Sequence, residues 1–322
     1  MPAELLILRH GKSDWDVATD DFNRPLKDRG KRGAQRMGVW LLQQGLIPDC
    51  ILSSPAERAL VSAEKLCKAM GHGVERITTD RRVYGADVPD LLQVLGGCPA
   101  EAQRVLLVGH NPGLEMLLTY LADEVIPLPE DGKLLPTATL ARLSTDCAWD
   151  RMDAGCARLL SITRPDSLPK KFPFPGPGSA DLRDRPAYYY TQSSVIPYRV
   201  NDGRMEILVI LSSKRKHWVV PKGIKEPGLS PQESAAQEAF EEAGVEGRVD
   251  ASAIGGYRYQ KWGAECSVEV YPMAVQRMVP DQEWEESHRG RRWVSPEQAA
   301  EHLNQPELRP LVLELAARQS GR

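Results

Sequence analysis

The sequence predicts an α/β protein made of two successive domains, and three observations carry that expectation. Two continuous apolar runs, Leu5-Leu6-Ile7-Leu8 and Val105-Leu106-Leu107-Val108, read as strands buried on both faces of a parallel sheet. A proline- and glycine-rich stretch at 165–186, with Pro165, Pro169, Pro173, Pro175, Pro177 and Pro186, reads as a connector, and its aromatic pair Phe172 and Phe174 offers a way to dock it. Beyond it, strand-like runs lead into a helix with explicit start and stop signals between Ser230 and Gly244. At 322 residues the chain is long for one domain and sufficient for two, each with its own core, which gives domains at 1–164 and 187–322.

In the first domain, Leu5 to Leu8 ends in Arg9-His10-Gly11, so an Arg and a His stand at the carboxyl end of a buried strand, where open α/β sheets build their sites. Ala34, Met37, Leu41 and Leu42 form a helical stripe within 30–45, followed by a short strand at Cys50-Ile51-Leu52-Ser53. Ser54-Pro55-Ala56-Glu57 then has the order of an N-cap, a first-turn proline and a reciprocal acid, which predicts a helix to about Met70 with Arg58 in its first turn. Free N–H groups and the helix dipole favour phosphate at such a place. The strand from Arg104 to Val108 runs into Gly109-His110-Asn111-Pro112-Gly113, with Asn111 expected as cap and Pro112 as helix opener. A charged or imidazole side chain therefore stands at three strand ends.

The pieces Leu8-Arg9-His10-Gly11, Arg24-Pro25-Leu26, Ser53-Ser54-Pro55 to Arg58 and Val108-Gly109-His110-Asn111-Pro112-Gly113 together resemble the histidine phosphatase superfamily, most closely its small SixA-like phosphohistidine phosphatase branch. The resemblance implies a three-layer α/β domain in which His10 is the nucleophile that becomes phosphorylated. It also implies a pocket of Arg9, Arg58 and His110 for the phosphoryl oxygens, with Arg24 as a further substrate-binding member and no metal. The chemistry suits those residue types, since a neutral imidazole is nucleophilic at pH 7 and guanidinium forks bind phosphate oxygens in pairs. The proton donor to the leaving group is left open, with Asp87 after Val83-Tyr84-Gly85-Ala86 as the nearest candidate.

In the second domain, Tyr188 to Arg199 and Met205 to Ser212 read as strands joined by a turn at Asn201-Asp202-Gly203. Lys214-Arg215-Lys216-His217 is either a solvated hairpin end or, with Lys222 and Lys225, a grip for a highly phosphorylated substrate; Lys216 is its expected contributor. Ser230 as cap, Pro231 and Glu233 open the helix, and Gly244 stops it. On it Glu238, Glu241 and Glu242 stand at i, i+3 and i+4, within an arc of roughly 100°. Ala236, Ala239, Phe240 and Ala243 are expected on the core side. Clustered carboxylates suit Mg²⁺ or Mn²⁺ beside a phosphate, although a solvated acidic face is the plainer alternative. Ile254 to Trp262 and Cys266 to Ala274 continue the sheet, Ser295-Pro296 opens another helix, and Pro306 to Ala317 closes the chain as an amphipathic helix.

The stretch Pro221 to Val245 resembles the Nudix box, G-x5-E-x7-R-E-U-x-E-E-x-G-U, through Gly223, Glu238, Glu241, Glu242, Gly244 and Val245. Two positions depart: Leu229 stands for the first Glu and Gln237 for the Arg, which in the family helps orient the following Glu. The resemblance implies an α/β/α sandwich and a Mg²⁺ or Mn²⁺ site built from the Gly223 carbonyl and Glu238, Glu241 and Glu242. It further implies Glu286, ahead of the final helices, as an extra ligand or base.

Composition narrows the function classes. Apolar residues make up 42%, charged residues 26%, and the net charge is −3. This is ordinary for a soluble protein and too little basic charge for a nucleic-acid polymer as partner. The six cysteines, Cys50, Cys67, Cys98, Cys147, Cys156 and Cys266, are scattered without a C-x-x-C pair, which fits a reducing compartment. No apolar run approaches the roughly 18 residues of a membrane span. The expectation is a cytoplasmic, bifunctional phosphohydrolase. One half would hydrolyse a nucleoside or inositol (poly)diphosphate with magnesium, and the other would remove a phosphoryl group through a phosphohistidine. Its partner would be such a phosphorylated small molecule or a phosphohistidine protein. The alternative is a phosphohistidine protein phosphatase of a signalling system whose second half, altered at Leu229 and Gln237, senses a ligand.

Overall fold

The computed structural model describes residues 2–320 and divides the chain into two compact units, one up to Pro186 and one from Ala187. In the first, β1 (Ala3–Arg9), β2 (Cys50–Ser53), β3 (Ile77–Thr79), β4 (Arg104–Gly109), β5 (Leu140–Thr145) and β6 (Ala157–Thr163) form a sheet in the order β3-β2-β4-β1-β5-β6. β1 to β4 run parallel, and β5 runs antiparallel to its neighbours β1 and β6, so the carboxyl ends of β1, β2 and β4 share an edge with the start of β5. Because side chains alternate along β1, Leu6 and Leu8 pack with α1 (Asp28–Gln43) and α2 (Glu57–Ala69). Leu5 and Ile7 pack on the other face with α3 (Val88–Gly96) and α4 (Gly113–Leu121). All four side chains are fully buried, each contributing about 1.5–3 kcal/mol relative to exposure.

The structure corrects two helix starts. α2 begins at Glu57 with Ala56 as its N-cap residue, so Ser54 does not cap it; its Oγ instead accepts from Ala56 N at 3.2 Å, just ahead of the helix. α4 begins at Gly113 after a cis Asn111-Pro112 bond, so Asn111 is not its cap. The segment 165–186, expected as a connector, belongs to the first unit. Phe172 is buried, and β7 (Phe172–Pro173) pairs with β8 (Leu182–Arg183) in a small hairpin. Its apolar side chains thus find a place on the first unit's surface.

In the second unit, β9 (Thr191–Asn201) and β10 (Arg204–Leu211) form a hairpin turned at Asp202-Gly203, both with positive φ. The remaining strands are β11 (Trp218–Val219), β12 (Lys222–Ile224), β13 (Val245–Val249), β14 (Gly255–Lys261), β15 (Ala264–Met278) and β16 (Arg291–Val294). They complete a mixed sheet ordered β11-β10-β9-β15-β13, in which β9 and β15 run parallel while β12 pairs β9, β14 pairs β15 and β16 pairs β10. The helix α5 (Pro231–Ala243) packs Ala235, Ala239 and Ala243 on one face against Val195, Leu208 and Met273. On the other face α6 (Pro296–His302) and α7 (Leu308–Ser320) bring Ala299, Leu303, Val312 and Leu315 to Ile196, Ile207 and Val268. Helices therefore cover both faces. Phe240, expected on the core side of α5, is 46% exposed, because the buried stripe runs through Ala235, Ala239 and Ala243 and leaves Phe240 outside it. Among the described residues no helix is long and apolar enough to cross a membrane.

Candidate functional sites

The edge shared by β1, β2 and β4 brings together His10, Arg58 and His110. The His10 and His110 rings lie 5.1 Å apart between centroids, with His10 buried and His110 half-buried. His10 Nδ1 pairs with the Gly11 carbonyl at 2.7 Å, which fixes the tautomer with the proton on Nδ1 and leaves Nε2 as a lone-pair nitrogen. Burial pushes the imidazole down to about 3; the Gly11 bond opposes this, and the charges of His110, Arg58 and Arg9 add to it. Burial likewise pushes His110 down to about 4, with Arg58 adding to the effect. Both rings are neutral at pH 7. His110 Nε2 pairs with Ser54 Oγ at 2.8 Å, the same hydroxyl that accepts from Ala56 N.

The cations arrange around this pair. Arg58 and Arg24 are buried, and both reach Asp21: Arg58 Nη2 donates to Oδ2 at 2.8 Å and Arg24 Nη2 to Oδ1 at 2.5 Å. Tyr84 donates its hydroxyl to Asp21 Oδ2 at 2.7 Å, and this bond, with those from Arg58, holds the Asp21 carboxyl below its usual range. Arg9 Nη1 donates to the Leu135 carbonyl at 2.8 Å, its guanidinium lowered by burial. A stitch of hydroxyl bonds joins two of these parts: Gly11 N donates to Ser62 Oγ at 2.9 Å, and Ser62 donates to the Arg58 carbonyl at 2.6 Å. Asp87, the candidate proton donor, instead caps α3 by accepting from Asp90 N at 3.0 Å. Asp21, Tyr84 and Ser62 are contributors that motif reading missed. The only hint to Asp21 was its place three residues before Arg24.

In the second unit, α5 forms as its capping box and its left-handed Gly244 dictate. It sets Glu238 directly against Gly223 of β12; a Cβ on Gly223 would lie 1.7 Å from Glu238 Oε1, so the approach requires glycine there. Glu242 accepts from Lys222 N at 3.0 Å, and Gln237 donates to Glu241 Oε1 at 2.8 Å. Arg289, 4% exposed and not anticipated from sequence, donates through one nitrogen to Glu242 at 2.6 Å and to Glu286 at 2.8 Å. Trp284 Nε1 donates to the Glu241 carbonyl at 3.0 Å, and Arg291 donates to the Ala243 and Gly244 carbonyls, tying the 284–291 loop to the end of α5.

Gly223, Glu238, Glu241, Glu242 and Glu286 are therefore neighbours, whereas the expected basic grip is not assembled. Lys216 is exposed on the loop after β10. Lys225 is half-buried, and its backbone nitrogen donates to the Thr191 carbonyl. Lys222 sends its ammonium to Tyr259 Oη at 2.8 Å and Gln192 Oε1 at 3.3 Å, and burial pushes it down to about 8. Tyr259 packs in the cluster shared with α6 and α7, so the ammonium leaves the α5 side of the sheet.

Burial, followed by the charges of Glu242, Glu241, Glu226 and Glu286, pushes Glu238 up to about 8. Such an excess of negative charge fits a divalent cation. Among the described residues no three acidic, imidazole or thiol groups converge closely enough to enclose a metal, so the acids form an open ridge. Arg289 balances one side of it.

Two family models match separate stretches of the chain. Residues 5–84 match the Histidine phosphatase superfamily (branch 1), and residues 191–315 match the NUDIX domain. An uncharacterised protein of Mycobacterium tuberculosis is 27% identical over 164 residues, covering 49% of this chain and 99% of that protein. A Bos taurus diphosphoinositol polyphosphate phosphohydrolase 3-beta is 34% identical over 102 residues, covering 30% of this chain and 60% of that protein. The structure of a protein histidine phosphatase SixA complexed with tungstate aligns with a TM-score of 0.44 at 22% identity, covering 51% of this chain and 98% of that one. Nudix domains generally use divalent metal ions such as Mg²⁺. The chain thus resembles a histidine phosphatase in its first unit and a Nudix hydrolase in its second, two families of hydrolases that act on phosphate and diphosphate bonds.

Proposed function

We propose that the chain is a bifunctional phosphohydrolase of two domains, 1–164 extended by the docked segment 165–186, and 187–322. The observation that carries the first activity is a neutral His10 with Nε2 unprotonated, beside His110 and Arg58. His10 Nε2 attacks the phosphorus of a phosphomonoester or phosphohistidine; the P–N bond forms and the bond to the leaving group breaks, its electron pair departing with that group. Water then attacks the phosphohistidine, releasing inorganic phosphate and restoring the imidazole. Arg58, Arg24, Arg9 and His110 hold the phosphoryl oxygens as charge develops on them.

In the second domain a divalent cation, Mg²⁺ or Mn²⁺, supplies positive charge for a diphosphate and a more acidic water. Gly223 and Glu238, Glu241 and Glu242 would hold it. Gln237 steadies Glu241, the Lys222 amide steadies Glu242, and Glu286 stands by as a further acid. The substrate class is a nucleoside or inositol (poly)diphosphate, in line with the bovine relative's named activity. We further propose that the second domain releases a phosphomonoester that the first consumes, in the cytoplasm.

The full chain incubated with nucleotide and inositol pyrophosphates tests this reading. Diphosphate cleavage abolished by EDTA and by Glu241→Gln, with an intermediate accumulating in His10→Ala, supports it. An unchanged product pattern in His10→Ala overturns the sequential scheme. The Arg289 contacts favour one second reading, a ligand sensor whose ridge is already balanced by a guanidinium; binding of the pyrophosphates without turnover supports that reading instead.

A further inference from the structure

A second cationic chamber lies on the first unit, apart from the His10 pocket. It has a volume of about 310 Å³ and is bordered by the first turns of α1, the loop 131–139 and the stretch 164–166. Neither His10, Arg24, Arg58 nor His110 lines it. The two sites are separated by a shared wall, because Ala138 N donates to the Arg9 and His10 carbonyls at 3.1 and 3.0 Å while Ala138 itself lines the chamber.

Five cations face this space: Lys12, Arg29, Arg36, Lys133 and Arg164. Two acids balance two of them. Asp131 is held by Arg164 at 2.7 and 3.0 Å, and Asp166 by Arg29 at 3.3 Å. Lys12, Arg36 and Lys133 form no side-chain ion pair among the described residues, and Lys133 meets Asp131 through its backbone N–H, which donates to Oδ1 at 3.2 Å. The chamber therefore carries an excess of three positive charges. Two buried groups point to a missing ligand: Thr139 is fully buried with Oγ1 unpartnered, and Arg36 Nε is buried without an acceptor. Buried donors without acceptors are rare and costly, so an acceptor-rich guest would offset that cost.

We propose that this chamber binds a small molecule through a chain of two or three phosphoryl groups. Phosphate oxygens are acceptors only, which matches the unmatched donors, and the lysines and arginines supply the charge. Its volume lies at the lower end for small-ligand sites, which suits an oligophosphate rather than a large ligand. The same chemistry is found in free inorganic oligophosphate and in the tail of a nucleotide.

The test is equilibrium binding of inorganic triphosphate and of ATP to the full chain in EDTA, with the stoichiometry measured. The expected result is, beside any occupancy of the His10 pocket that Arg58→Gln removes, one further site whose affinity falls about tenfold in Arg36→Gln and in Lys133→Gln and persists in Arg58→Gln. Lys133 lies exposed on a loop, so its variant tests the proposal even if Arg36→Gln does not fold. Tighter binding of ATP identifies a nucleotide as the source, and equal binding identifies the free oligophosphate. Binding unaltered in both Lys133→Gln and Arg36→Gln, or lost altogether in Arg58→Gln, overturns the proposal.

Discussion

Arg58 and Asp21 form a salt bridge of 2.8 Å in which the guanidinium is buried and the carboxylate half-exposed. Asp21 also accepts from Arg24 and Tyr84, so a carboxylate already rests on the cations proposed to bind a phosphoryl group. An incoming phosphate shares or displaces it. Asp21→Asn removes the competing charge and leaves the shape. It is expected to tighten competitive inhibition by inorganic phosphate about three- to tenfold, the range for a partly exposed charge pair. Unchanged or weaker inhibition would show that Asp21 orders the arginines rather than competing for them.

The two imidazoles set a pH dependence. With His10 near 3 and His110 near 4, both below the ordinary 6.5, the folded chain binds fewer protons than the unfolded chain across this interval. Stability contributed by the neutral rings is complete above about pH 6.5 and is lost as pH falls towards 4 and 3, at up to about 1.4 kcal/mol per pH unit for each ring. Denaturant unfolding at pH 7 and pH 5 should show a smaller acid loss in His10→Asn than in the parent. The first activity should lack an acid limb between pH 7 and pH 5; a limb centred near 6.5 would contradict a buried, neutral nucleophile.

Arg289 is the internal counter-charge of the acidic ridge. Arg289→Gln leaves Glu242 and Glu286 beside Glu238 and Glu241 with that charge removed, and should destabilise the second domain by about 2–4 kcal/mol without metal. Mn²⁺ or Mg²⁺ should restore part of the loss. Thermal unfolding with EDTA and with metal checks this, and a loss of equal size in both conditions would separate Arg289 from the cation site.

Gly223 makes the narrowest demand. A methyl group there meets Glu238 Oε1 at 1.7 Å, so Gly223→Ala must push the carboxylate aside. Diphosphate cleavage should fall about a hundredfold, the scale of an ångström's misplacement, while the unfolding midpoint changes little. Normal cleavage would remove Gly223 and Glu238 from the proposed cation site.

What the sequence discloses follows from how local each signal is. The start and end of α5 are written in Ser230, Glu233 and Gly244, and the buried strand ends carrying His10 and His110 are written in their apolar runs. Arg289 was invisible because Arg291 and Arg292 lie in the same stretch, and only the chain's return from β15 decides which guanidinium meets Glu242. Lys222 misled because a three-residue strand carries too little alternation to say which face a side chain takes. Asp21 sits in an acid-rich stretch with Asp14, Asp16 and Asp20, and loop closure selects among them. Ser54 had the signature of a cap, yet its hydroxyl is shared between Ala56 N and the His110 ring.

Ser62 touches no reactant in this scheme, yet it ties the turn after the nucleophile to the carbonyl of the anion-holding arginine. The gap between attacking nitrogen and phosphate cradle is consequently a dimension of the scaffold, inherited from the seating of one helix against one strand end. Drift of that helix would carry both halves of the machinery together, preserving their spacing while the rest of the surface is free to diverge.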